Sequence, residues 1–306
     1  MSCENGPVMS GYDVIGDWGT SRLRLFRLQQ GRVTARREGP GIASAGADAA
    51  AAFAATIAPW LEDGTPGGIR LCGMAGARDG WVEAPYADCP AAAGDWRAAA
   101  VRFDWHGIPL SILAGLACTG ADGVPDVMRG EETQIFGAMQ CHPALASGRH
   151  LLVLPGTHNK WALAEDGRVI AFRTMPTGEL FALLRGQSIL GPKAEAAEPA
   201  AEAEGFAEGL ERAGEGRLLS NLFAARAMRL RAGRSAGWAA GYLSGLLIGC
   251  EITEVRGLLG DVSSITLIGD QSLCARYAKA LEAQGLSPQS LDGDDCVLAG
   301  LTLPEN

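Results

Sequence analysis

One plan occurs twice in this chain. "GTSRLRLFRLQQGRV", residues 19–33, and "GTHNKWALAEDGRV", residues 156–169, each follow a short apolar stretch. Each turns through Gly-Thr, leaves along a second apolar stretch and turns back at Gly-Arg-Val. An internal echo of this kind marks a duplicated unit. It predicts two lobes with the same topological start, each opening on a buried strand that delivers a Gly-Thr turn, and the two turns facing one cleft. A chain of 306 residues has room for two lobes with cores of their own.

The remaining pattern is α/β. Residues 12–18, 23–28, 33–36 and 67–73 read as strands, the last running into a Gly-rich loop. An Ala-rich helix is expected at about 45–61. In the second half, 150–156 restarts the plan, 161–172 reads as a hairpin turning at 165–167, and 264–270 as another buried strand. A helix is expected from Thr177, its N-cap, with Glu179 in the first turn. A last helix is expected at about 272–283. Residues 236–250 carry no charge and place Gly at 237, 241, 245 and 249. That stretch is shorter than the roughly 20 residues a bilayer requires, so it reads as a core helix with one smooth glycine face. The expected lobes are 11–148 and 149–303, after a loose tail at 1–10, with a low-complexity acidic stretch at 192–204.

A net charge of -9 argues against nucleic acid or an anionic membrane as the main partner. A small anionic metabolite needs only a local cationic pocket. The eight cysteines form no C-x-x-C pair and the start of the chain has no signal-peptide pattern, which points to reduced thiols and a cytoplasmic location.

Three segments carry candidate chemistry. Glycine lets backbone approach a phosphate closely, successive turn N–H groups make an anion-binding concavity, and Thr adds a hydroxyl. The turns at Gly19, Thr20 and Ser21 and at Gly156 and Thr157 fit that role, and Asp17 just before the first would sit near Mg²⁺. Asp and Thr also cap tight turns in ordinary proteins; the echo favours phosphate. In "VPDVMRGEETQIFG", Asp126, Glu131 and Glu132 are candidate proton acceptors for a phosphoryl-accepting hydroxyl, and Arg129 could bind a substrate carboxylate bidentately. A solvated helix start is the plain alternative. Arg78 in the Gly-rich loop, and His158 and Lys160 beyond the second Gly-Thr, are candidate anion or substrate contacts. Gly269 ends a strand ahead of a helix start that could meet a nucleotide.

The blocks "DWGTSRLRLF", "GMAGARDGW", "VMRGEETQIFG", "LPGTHNKW", "TGELFALLRGQSILG" and "YLSGLLIG" together resemble the 2-dehydro-3-deoxygalactonokinases, within the sugar kinase, actin and heat-shock ATPase superfamily. The resemblance runs in order from about residue 11 to 300. It implies an α/β fold of two ribonuclease-H-like (actin-like ATPase) lobes around an interlobe nucleotide cleft. It also implies Mg-ATP as phosphoryl donor and transfer to the 6-hydroxyl of 2-dehydro-3-deoxy-D-galactonate in galactonate catabolism. Asp17, Gly19 and Thr20 match the first phosphate motif, Gly156 and Thr157 the second, and Gly269 the adenosine motif, where Asp270 replaces the usual second glycine. Related sugar kinases place the base where Asp126 stands. "RGEET" also resembles the "GEEE" segment of exopolyphosphatases, which would make Glu131 or Glu132 the base. The alternatives are a phosphohydrolase of this fold and a non-catalytic sugar-acid sensor. A homodimer is left open.

Overall fold

The structure, a computed structural model, describes residues 11–191, 198–259 and 264–304. The expected tail at 1–10 and residues 192–197 of the acidic stretch lie outside the described residues. The described chain divides into two compact units, one of residues 11–146, 167–170 and 294–304, the other of residues 147–166, 171–191, 198–259 and 264–293.

Unit one opens with β1 (Asp13–Trp18), β2 (Arg22–Gln29) and β3 (Arg32–Pro40), an antiparallel meander. The helices α1 (Ile42–Ala45) and α2 (Ala49–Leu61) then lead to β4 (Ile69–Gly73), parallel to β1. The expected single helix over this stretch is broken at Gly46, whose φ of 56° lies outside the helical range. Next come β5 (Tyr86–Asp88), β6 (Ala91–Ala92), α3 (Ala93–Ala98), β7 (Val101–Trp105) and β8 (Ile108–Ile112), then β9 (Gly115–Thr119), β10 (Pro125–Met128) and α4 (Glu131–Cys141). The main sheet runs β3-β2-β1-β4-β8-β7, and a small sheet runs β10-β9-β5. Val14, Ile15 and Trp18 of β1 are buried, as a central strand covered on both faces requires. Phe53, Ile57 and Trp60 of α2 join Trp18, Leu25 and Leu71 in one core.

Unit two repeats the plan with β11 (Arg149–Leu154), β12 (Asn159–Glu165) and β13 (Arg168–Met175). Four helices follow, α5 (Thr177–Gln187), α6 (Pro199–Ala213), α7 (Leu218–Ala232) and α8 (Ala236–Leu259). Then β14 (Ile265–Gly269) lies parallel to β11, and α9 (Gln271–Glu282) leads to β15 (Gln289–Asp292), parallel to β14. The order β13-β12-β11-β14-β15 matches β3-β2-β1-β4-β8 strand for strand. Both are the ribonuclease-H-like order, so the duplicated α/β class expected from the echo is the class observed.

The charge-free stretch lies inside α8, and no helix among the described residues is long and apolar enough to cross a membrane. Its glycines face α6. A Cβ on Gly241 would stand 2.0 Å from the Glu202 carbonyl oxygen, and one on Gly245 2.1 Å from that of Phe206. The two backbones touch, which only glycine permits. Sequence periodicity stopped one helix short: α10 (Gly293–Leu301) returns to unit one and packs on α4, where a Cβ on Gly300 would stand 2.0 Å from the Thr133 carbonyl oxygen.

Candidate active site

In unit one, three neighbouring strands place three polar side chains at one level. Asp17 on β1 stands opposite Arg24 on β2 and beside Cys72 on β4. The Arg24 Nη2 donates to Asp17 Oδ2 at 2.5 Å, and Arg24 also pairs with Asp294 of α10. Burial works against the Arg24 charge, but hydrogen bonds and charge from Asp17 and Asp294 outweigh it and raise its pKa further. The Cys72 thiol donates to Asp17 Oδ1 at 3.7 Å. Burial pushes that thiol well up, and the negative charges of Asp17 and Glu132 add to this, so it stays protonated.

The start of α4 closes on the same spot. Glu132 is fully buried and takes the Gly130 N–H on both oxygens, at 2.8 and 2.7 Å. The Thr133 hydroxyl donates to its Oε1 at 3.3 Å. Burial, then the nearby Glu131, raises the Glu132 pKa to about 8. Glu131 is half-buried and accepts the Arg129 N–H at 3.1 Å. Arg129 donates to the Ala84 carbonyl at 2.7 Å and lies 4.3 Å over the Tyr86 ring. Its Nε and Nη1 are buried without a hydrogen-bond partner among the described residues. Asp126 sits apart on β10, accepting the Val127 N–H at 2.7 Å. Arg78 is exposed, in the loop after β4.

The first Gly-Thr turn is tight. The Gly19 N–H donates to the Arg22 carbonyl at 2.8 Å, and the carbonyls of Gly19 and Thr20 accept from Ile42 and Ala43 at the start of α1. Thr20 and Ser21 are exposed.

In unit two, the Gly156 N–H donates to Asn159 Oδ1 at 2.6 Å, closing the second Gly-Thr turn. The start of α5 lies against it: the Glu179 N–H donates to the Thr157 carbonyl at 3.0 Å, and a Cβ on Gly178 would stand 2.1 Å from the Gly156 carbonyl oxygen. His158 is exposed and meets Glu179 Oε2 at 2.8 Å. Lys160 is 4% exposed, with Nζ 3.5 Å from the His158 carbonyl. Thr177 is the first residue of α5 rather than its cap, because its side chain bonds Glu251 instead. Gly269 ends β14 at φ 154°, and the following Asp270 caps α9 by accepting from the N–H groups of Ser272 and Leu273. The Ser272 hydroxyl also donates to Asp270 Oδ1, and this bond first, then the two backbone N–H bonds, lower the Asp270 pKa. A carboxylate therefore occupies the α9 start, which suits a neutral ligand surface rather than a phosphate. A cavity of about 250 Å³ lies beside it, bordered by Gly156, Phe181, Ser244, Leu273 and Arg276.

A sequence model described as 2-keto-3-deoxy-galactonokinase matches residues 17–303, covering both Gly-Thr turns and the α4 acids. The chain belongs to the 2-keto-3-deoxy-galactonokinase family. A curated Rhizobium meliloti protein named as a 2-dehydro-3-deoxygalactonokinase is 40% identical over 96% of this chain and 96% of its own. The Escherichia coli 2-dehydro-3-deoxygalactonokinase is 35% identical over 93% of this chain and 94% of its own. The crystal structure of a 2-dehydro-3-deoxygalactonokinase protein from Sinorhizobium meliloti superposes with a TM-score of 0.83 at 37% identity, covering 95% of this chain and 97% of that one. The family expected from the sequence motifs is the family found.

Three residues beside the candidate positions, Arg24 and Cys72 in unit one and Glu251 in unit two, were not evident from the sequence as partners of those positions. Arg24 was legible only as alternation within β2, and Cys72 as one more apolar strand residue. Glu251 did leave a signal: it is a lone carboxylate following an apolar helical run, and such a group needs partners.

Proposed function

We propose that this chain is an ATP-dependent kinase that phosphorylates the 6-hydroxyl of 2-dehydro-3-deoxy-D-galactonate, a small sugar acid, in the cytoplasm. The observation that carries the proposal is the meeting of Asp17 with the start of α4 around Cys72, in a chain of this family. Phosphoryl transfer depends on positioning and charge neutralisation more than on covalent chemistry. In this reading Gly19, Thr20 and Ser21 bind phosphate in unit one, and Gly156 and Thr157 do so in unit two. Gly269 and the cavity bordered by Leu273 and Arg276 at the α9 start take the adenosine.

Among the described residues no cluster of three acids, cysteines or histidines could hold a metal alone. Asp17 has one oxygen on Arg24, and its other oxygen accepts from the Cys72 thiol. That donor set fits Mg²⁺ carried in on the nucleotide with most of its water and phosphate ligands, and does not fit an all-protein cage. Bound Mg²⁺ would neutralise charge on the transferring phosphoryl group. Arg129, with two buried donors to spare, binds the acceptor carboxylate, and exposed Arg78 and His158 are further substrate contacts. Glu132 is sealed from ligand by its bonds to Gly130, so we assign the base to Glu131, with Asp126 as the alternative.

A coupled ADP-release assay with the galacto acid, its gluco epimer and no acceptor tests this reading. ADP formed only with a sugar acid is the expected result. Phosphate release without acceptor would instead make the chain a phosphohydrolase, and tight binding without turnover would make it a sensor.

A further inference from the structure

Helix α8 is mostly apolar and buried, yet it carries Glu251, which is 4% exposed. Removing a carboxylate from water costs several kcal/mol unless strong partners compensate. Here four side chains converge on it. Trp161 Nε1 donates to Oε1 at 2.5 Å and the Tyr277 hydroxyl to Oε2 at 2.7 Å. Asn159 Nδ2 donates to both oxygens, at 3.1 and 2.9 Å, and the Thr177 side chain is hydrogen-bonded as well. These groups come from β12, α9 and the start of α5. An ionised carboxylate accepts from all of them; a neutral amide would turn a donor of its own toward one of them.

The consequence falls on Asn159. Its amide has one acceptor and one donor end. With Nδ2 committed to Glu251 and also to the Tyr277 oxygen, Oδ1 is left facing the turn, where it takes the Gly156 N–H at 2.6 Å. Asn159 and Trp161 are two residues apart on β12 and so share a face, which brings both to Glu251 together. We infer that Glu251 is a positioning residue for the Gly156–Thr157 turn, fixing the Gly156 peptide through the Asn159 amide and so setting the shape that the turn presents to phosphate. The inference rests on the reading of that turn as phosphate-binding.

The test compares Glu251→Gln, Asn159→Ala and the double variant by steady-state kinetics and by direct binding of a fluorescent ATP analogue to the full chain. Glu251→Gln is expected to raise KM for ATP and the analogue's Kd about tenfold, with KM for the sugar acid within about twofold of wild type. Asn159→Ala should show the same signature, and the double variant should be no worse than Asn159→Ala alone, because Glu251 acts through that amide. A merely structural role predicts a lower melting temperature with unchanged KM for ATP, or additive effects in the double variant; either would overturn the inference. If Glu251→Gln does not fold, Tyr277→Phe removes one contact from each partner and should shift KM for ATP the same way by a smaller factor; no shift overturns the inference. Wild-type protein that neither binds the analogue nor consumes ATP would refute the kinase reading itself, a result distinct from either of these.

Discussion

Arg24 lies directly across the β1–β2 ladder from Asp17, and its guanidinium holds Asp17 Oδ2 at 2.5 Å while reaching Asp294 on α10. The carboxylate proposed to face Mg-ATP is therefore held on one side by a fixed cation. Asp17→Asn keeps the shape and removes the charge. Turnover is expected to fall at least about a hundredfold, on the scale of losing one preorganised electrostatic group, with the melting temperature little changed. Near wild-type kcat from this variant would end the assigned role.

Arg129 should act on the acceptor alone. Lysine keeps the charge but loses the planar fork that pairs two bonds with a carboxylate. Arg129→Lys is therefore expected to raise KM for the sugar acid about tenfold or more, leaving KM for ATP within about twofold. Equal changes in both constants would point to a disturbed fold instead.

The buried Glu132 makes a prediction about pH. Its folded-state pKa is raised from the ordinary value of 4.5 to about 8, through burial and the nearby Glu131. Its contribution to stability is thus fully present below about pH 4.5 and is lost as pH rises toward 8, on the order of a few kcal/mol. Melting curves of wild type and Glu132→Gln from pH 5 to 8.5 should diverge, with the variant less sensitive to rising pH. Parallel curves would show that Glu132 does not titrate in this range.

The α6–α8 contact is a matter of volume. Gly241→Ala places a methyl group 2.0 Å from the Glu202 carbonyl oxygen, an atom that cannot move without its helix. A loss of about 1–3 kcal/mol is expected from overpacking, read by chemical denaturation. Gly214→Ala, whose Cβ would be 3.5 Å from its nearest neighbour, serves as the control.

Patterns local in the chain were legible without coordinates. The echo at Gly19 and Gly156 foretold two lobes with the same topological start, because a strand's burial and the turn that ends it are written in adjacent residues. The glycine stripe of α8 was readable for the same reason. Family motifs named the α4 acids and both turns as a set. The division of labour among those residues was not legible. Glu131 and Glu132 are neighbours of the same type, and only packing seals one and leaves the other half-exposed. Asp17 met Arg24 because strand register set them opposite each other, and Arg24 met Asp294 because α10, 270 residues further on, folds back beside it. Asn159 and Glu251 are 92 residues apart, and their pairing follows from where α8 crosses β12. Short-range preferences determined the elements and their duplication; which polar groups lost water, and which partners they found there, was decided by long-range packing alone.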